Sequence, residues 1–212
     1  MGFNLDDFRK LRTPEDRIGY LNGTGAQSAS GDGSNRVYYN IFLNDNKLER
    51  TLKLALNHRG KLLNKKELKT VLGLGKDDGA YFPIMFPQKA PDYAWILTEV
   101  ITPIRSAREF QNKTRIQLNH IEDGMHFLSP KIQKLGKTNT TYKRLRHVYE
   151  TLSKENPWYA NLIKFATARG IPVQELVGPD SWGVANGDNK RIVLLNPVGL
   201  LSFGKRNGIF TW

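Results

Sequence analysis

Lys53 stands inside an apolar, strand-like run, "LKLALN", and Glu67 follows fourteen residues later in "NKKELK". Upstream lies "NGTGAQSASGDGSN", residues 22–35, dominated by glycine, serine and asparagine. These residue types, in this order, suit phosphate handling. Backbone N–H groups of a glycine-rich loop make an anion-binding concavity. An ammonium group can neutralise phosphate charge. Each feature also has a plainer reading. Lys53 can be a cross-strand partner on a polar sheet face near Glu49 and Arg50. Glu67 stands three residues after Asn64, the spacing of a capping box, and would then point back along its helix. The glycine-rich segment lacks the GK[ST] ending of a P-loop and reads equally as a flexible connector.

Other chemistry is excluded by composition. The 212 residues include no cysteine, which removes disulfides, thiolate catalysis and cysteine-bound zinc. The four histidines, His58, His120, His126 and His147, are not spaced as metal pairs, so no metal site is expected. The net charge of +12 favours an anionic partner. The strongest basic cluster is "KIQKLGKTNTTYKRLRHVYE", in which Lys137, Lys143, Arg144 and Arg146 are candidate anion-binding residues. It carries no helix-turn-helix, RNA-recognition or zinc signature, and a solvated helix face is the plain alternative. Trp158, Tyr159 and Phe165 are expected as core anchors rather than base-stacking platforms.

The elements that position these residues follow from pattern. "TPEDRIGYLNG" predicts a helix with Thr13 as cap, Pro14 in the first turn and Gly23 as stop. Residues 22–35 predict a loop. "RVYYNIFL" alternates, with Val37, Tyr39, Ile41 and Leu43 on one face. "NDN" predicts a turn, and "LERTLKLALN" the returning strand, with Lys53 opposite its leucine face. A helix is predicted to start at Asn64. "AYFPIMFPQ" and "YAWILTEVIT" predict two more strands. "SAREFQNKTRIQL" predicts a helix with a Ser106–Glu109 capping box, and a polar section follows it. Two helices come next, "YKRLRHVYETLS" and "NPWYANLIKFATARG", then a hairpin turning at Asn186-Gly187. A lobe boundary is expected near residues 102–105. No apolar run approaches a membrane span, and the N-terminus has neither a secretory core nor a myristoylation pattern.

This order resembles the protein-kinase-like fold: glycine-rich loop, lysine-bearing strand, glutamate-bearing helix, a strand ending in "ILTE", a helical half and a late hairpin. "NRVYYNIF", "LKLALNHRGKLLNKKE" and "DSWGVANGDNKRIVLLN" are similar to runs in small kinase-like proteins encoded by tailed phages. The resemblance spans about residues 10–200. It implies an α+β fold, with an N-terminal antiparallel sheet lobe carrying one helix (1–102). A small helical lobe with a β-hairpin (103–212) would follow. It implies nucleotide-binding roles for Lys53, Glu67, Glu99 and Asn196; no cofactor is expected, with ATP and Mg²⁺ as the alternative the resemblance leaves open.

The chain departs from that pattern where chemistry would occur. Asn196 stands where the family places a metal-binding aspartate, and Gly199 follows three residues later rather than two. Ser181 takes the catalytic-loop asparagine position, and no His-Arg-Asp triplet precedes it. Glu175 and Asp180 are the only carboxylates nearby and so the only catalytic candidates. The short stretch after Asn196 leaves no room for an activation segment, so a truncated fold is expected. The expectation is a non-catalytic binding or structural protein, phage-encoded, working with protein partners or a viral assembly in the host cytoplasm or the virion. No membrane role is expected. The alternatives are a nucleotide-binding protein or atypical phosphotransferase, and a basic nucleic-acid-binding protein.

Overall fold

A computed structural model describes residues 2–29, 34–43, 48–186 and 191–195. The chain is α+β and divides into two compact units, Met1–Thr102 with Ala185–Arg191, and Pro103–Val184 with the chain from Ile192 onward.

The first unit begins with α1 (Leu5–Lys10) and α2 (Pro14–Gly23). Asn4 caps α1 by accepting from the N–H groups of Asp6 and Asp7, and Thr13 caps α2 by accepting from Asp16 N–H. The strands β1 (Gln27–Ala29), β2 (Arg36–Leu43), β3 (Leu48–Ala55), β4 (Met85–Lys89) and β5 (Trp95–Thr98) form one sheet in the order β1-β2-β3-β5-β4. All four pairings are antiparallel. Between β3 and β4 come α3 (His58–Leu72) and the single turn α4 (Lys76–Gly79).

Period-two alternation gives this sheet two chemically different faces. Tyr39 and Ile41 from β2, Leu52 and Leu54 from β3, and Trp95 and Leu97 from β5 bury one face against Phe8 of α1 and Leu21 of α2. Lys53, between Leu52 and Leu54, therefore faces the other way, where α3 packs across β3, β4 and β5. The close approach of α3 depends on Gly60: a Cβ there would collide with the Asn35 carbonyl oxygen and lie 3.0 Å from the Ala55 Cβ.

The second unit contains α5 (Ala107–Thr114), α6 (Leu118–Leu128), α7 (Pro130–Gln133), α8 (Thr140–Glu155) and α9 (Pro157–Ala168), followed by two 3₁₀ turns, Val173–Glu175 and Pro179–Ser181. Helices α6, α8 and α9 pack on one another. Gly124 of α6 faces Tyr159 and Ile163 of α9, and a Cβ there would strike the Tyr159 hydroxyl. That hydroxyl donates to the His120 carbonyl at 2.8 Å. Trp182 packs on Phe110 and Trp158, with ring centroids 5.1 and 5.8 Å away, and its indole N–H donates to the Leu176 carbonyl at 2.8 Å. Tyr159 and Phe165 are buried core residues, and Trp158 is half-buried beside Phe110 and Trp182. Among the described residues, the remaining strands of the chain are β6 (Ile101–Pro103), β7 (Trp182–Ala185) and β8 (Arg191–Leu194).

Several sequence expectations need correction. The sheet unit carries α1 to α4 among its described residues rather than one helix. The glycine-rich segment is not all loop, because Gln27–Ala29 adds to β2 as an edge strand. The polar section after α5 contains α6 and α7. Helix α3 starts at His58 rather than Asn64, because Asn57 is the cap and accepts from Gly60 N–H at 3.0 Å. At Ser106 the capping box is half formed: the serine accepts from Glu109 N–H, but Glu109 accepts from Arg105 N–H instead of returning to Ser106. The turns expected at "NDN" and at Gly187 lie outside the described residues.

Candidate functional site

The capping reading of Glu67 fails with the position of the helix start. Glu67 lies well inside α3, on the face that packs against the sheet, and is 2% exposed. Its Oε1 accepts from the Lys53 ammonium. Its Oε2 accepts from Arg36 Nη1 at 2.6 Å. Arg36 and Lys53 come from adjacent strands: Tyr38 pairs with Lys53 and Arg36 with Ala55, so Arg36 is the diagonal neighbour of Lys53 on the same sheet face. Both cations lie near the Tyr38 ring, with Arg36 Cζ 5.5 Å and Lys53 Nζ 5.4 Å from its centroid.

Asn64, one turn before Glu67 and fully buried, completes the cluster. Its amide donates to the Lys53 carbonyl at 3.2 Å and to the Tyr93 carbonyl at 3.0 Å, and its oxygen accepts from Arg36 Nη1 at 3.4 Å. Tyr93 holds a left-handed backbone, φ 60°, in the connection between β4 and β5. The asparagine thus ties helix, central strand and that strained connection together. Burial alone pushes the Glu67 carboxyl up. The charges of Lys53 and Arg36, with their hydrogen bonds, outweigh it and hold the group below the ordinary glutamate value.

Glu99 lies just beyond β5 and is also buried. Its Oε2 accepts from the Ile84 N–H at 2.5 Å and from Arg191 Nη2 at 2.6 Å, while Arg191 Nη1 donates to the Ala80 carbonyl at 2.9 Å. The carboxylate is thus spent on organising the chain ahead of β4. Glu175 and Asp180 belong to the second unit, in its two 3₁₀ turns. Asn196 lies outside the described residues. Among the four basic candidates, Arg144 pairs with Asp123 at 3.1 Å and Arg146 with Glu150 at 2.8 Å. Lys137 and Lys143 are exposed and without an ion pair among the described residues.

The structure therefore joins Lys53 to Glu67. Sequence reasoning missed Arg36, Asn64 and Arg191. For Arg36 the signal was available: the alternation that puts Val37 and Tyr39 on the leucine face puts Arg36 and Tyr38 on the Lys53 face. Asn64 was read as a cap because its identity suits one. Among the described residues no three His, Asp or Glu side chains converge as a metal site requires, and no helix is long and apolar enough to cross a membrane. No family model matches the chain, and no curated protein matches it.

Proposed function

We propose that this chain is a non-catalytic binding protein on a kinase-like scaffold, serving a virion, a phage assembly or a host target. The observation that carries this reading is the burial of the lysine–glutamate pair with Arg36 as a second cation, since the pair by itself also belongs to a phosphate-handling site. Both Glu67 oxygens are taken, by Lys53 and Arg36, and Lys53 is only 8% exposed. A carboxylate bridging two cations in a packed interior fastens a helix to a sheet. The sequence supports the same reading, because Asn196 and Ser181 replace the carboxylate and amide that would hold magnesium. The test is to incubate the purified chain with γ-labelled ATP and Mg²⁺ or Mn²⁺, alone and with generic protein substrates. No labelled product above the no-protein control is expected. Transfer that disappears in Lys53→Met would overturn the reading in favour of an atypical phosphotransferase.

A second reading, polyanion binding by the helical unit, is favoured by one specific observation. No Asp or Glu occurs from Gly124 to Tyr149, and Lys131, Lys134, Lys137 and Lys143 in that run are all exposed. Such a surface would hold phosphates mainly by charge, since Tyr142 is buried and unavailable for stacking.

A further inference from the structure

Helix α3 has a second face. Its buried residues, Gly60, Asn64, Glu67, Leu68 and Val71, turn toward the sheet. Arg59, Leu62, Lys65, Lys69 and Leu72 recur every three or four positions and form one exposed stripe on the other side. Leu62 is 51% and Leu72 53% exposed, two of the four large apolar side chains standing exposed among the described residues. They lie about 15 Å apart along the axis and within about a quarter turn of each other. Single exposed leucines are ordinary. Two on one cationic stripe are a pattern.

The charge of the stripe is all of one sign. The helix's one carboxylate, Glu67, is directed inward and consumed by Lys53 and Arg36. Lys61, at the side of the stripe, is already paired with Asp92 at 2.6 Å. Arg59 and Lys69 have no ion pair among the described residues. The face is also held rigid by the Asn57 cap, the Asn64 amide and the Glu67 pair, so a ligand would bear little ordering cost on this side.

Resting on the binding-protein reading, we propose that the outer face of α3 docks an acidic amphipathic helix of a partner protein. Two bulky apolar side chains of that helix cover Leu62 and Leu72, and its carboxylates meet Arg59, Lys65 and Lys69. The leucines select this occupant over a nucleic-acid backbone, which gains nothing from apolar anchors, whereas a helix face supplies apolar contacts at this spacing.

The test pans a display library of helical peptides, with one face randomised, on the full chain at near-physiological salt. Enriched peptides are then synthesised and titrated by fluorescence anisotropy against the wild type, L62N/L72N and K65E/K69E. The expected result is enrichment of acidic sequences bearing two apolar anchors, with affinity falling about tenfold or more in each variant while melting temperatures hold. If L62N/L72N melts lower, L62Q/L72Q replaces it. Three results would overturn the proposal: no enrichment on the wild type, enriched peptides that bind all variants equally, or loss in K65E/K69E alone, which marks a plain polyanion surface. Peptides that bind the wild type but ignore α3 remove this surface and leave the binding-protein reading standing. Phosphoryl transfer from ATP removes that reading whatever the peptides do.

Discussion

Glu67 has two carboxylate oxygens and two cationic partners, and that asymmetry ranks the residues of the cluster. Removing the carboxylate leaves the Lys53 ammonium buried without its counter-charge. Removing the ammonium leaves Glu67 still paired with Arg36. Glu67→Ala is therefore expected to cost about 3–5 kcal/mol and Lys53→Met only roughly 1 kcal/mol, read from urea unfolding midpoints. Equal costs would contradict the hub assignment. The same carboxylate sets an acid limb. Its folded value lies below its unfolded one, so its contribution is fully present above the unfolded value, about 4.3. It is lost as pH falls from there through the folded value. Stability of the wild type should fall more steeply below about pH 4 than that of Glu67→Gln. The Lys53–Glu67 pair stood in the sequence as one of two readings, because a lysine on a strand and a glutamate on the following helix suit a pair or two separate surface roles equally. The Asn64 contacts were not legible, because an asparagine near a helix start looks alike whether it caps the first turn or lies buried in the second.

At the scale of elements, two glycines set how closely helices approach. Gly60 admits the Asn35 carbonyl against α3, and Gly124 admits Tyr159 against α6. Gly60→Ala should cost about 1–3 kcal/mol, despite alanine's better helix propensity. A stabilised Gly60→Ala protein, measured by thermal melting, would contradict the packing described. The strongly patterned elements were readable: α2 and α9 from cap, proline and glycine, and β2 and β3 from alternation. Helix α6 was hidden, because Gln117 offers no side-chain cap bond and its apolar residues are interspersed with His120, Glu122, Asp123 and His126. Strand β1 was hidden because three residues of "QSA" have no pattern of their own and are strand only through pairing with β2.

For the whole molecule, charge and catalysis separate the competing readings. If the helical unit binds polyanions through Lys131, Lys134, Lys137 and Lys143, duplex DNA affinity should fall with salt at a double-logarithmic slope of about −3 to −4. Reversing those four lysines to glutamate should abolish retention. A slope near zero in filter binding would end that reading. The overall α+β class was visible in the order of patterned segments, whereas the fastening of α3 needed three-dimensional neighbours that no single segment declares. The most direct measurement for the central claim is the melting temperature of the chain titrated with ATP, with and without Mg²⁺, in wild type and Lys53→Met. A ligand that binds only the folded state must raise that temperature as its concentration passes Kd. With the Lys53–Glu67–Arg36 cluster acting as a structural fastener, the account predicts no magnesium-dependent rise at millimolar ATP. A magnesium-dependent rise that is lost in Lys53→Met would contradict it.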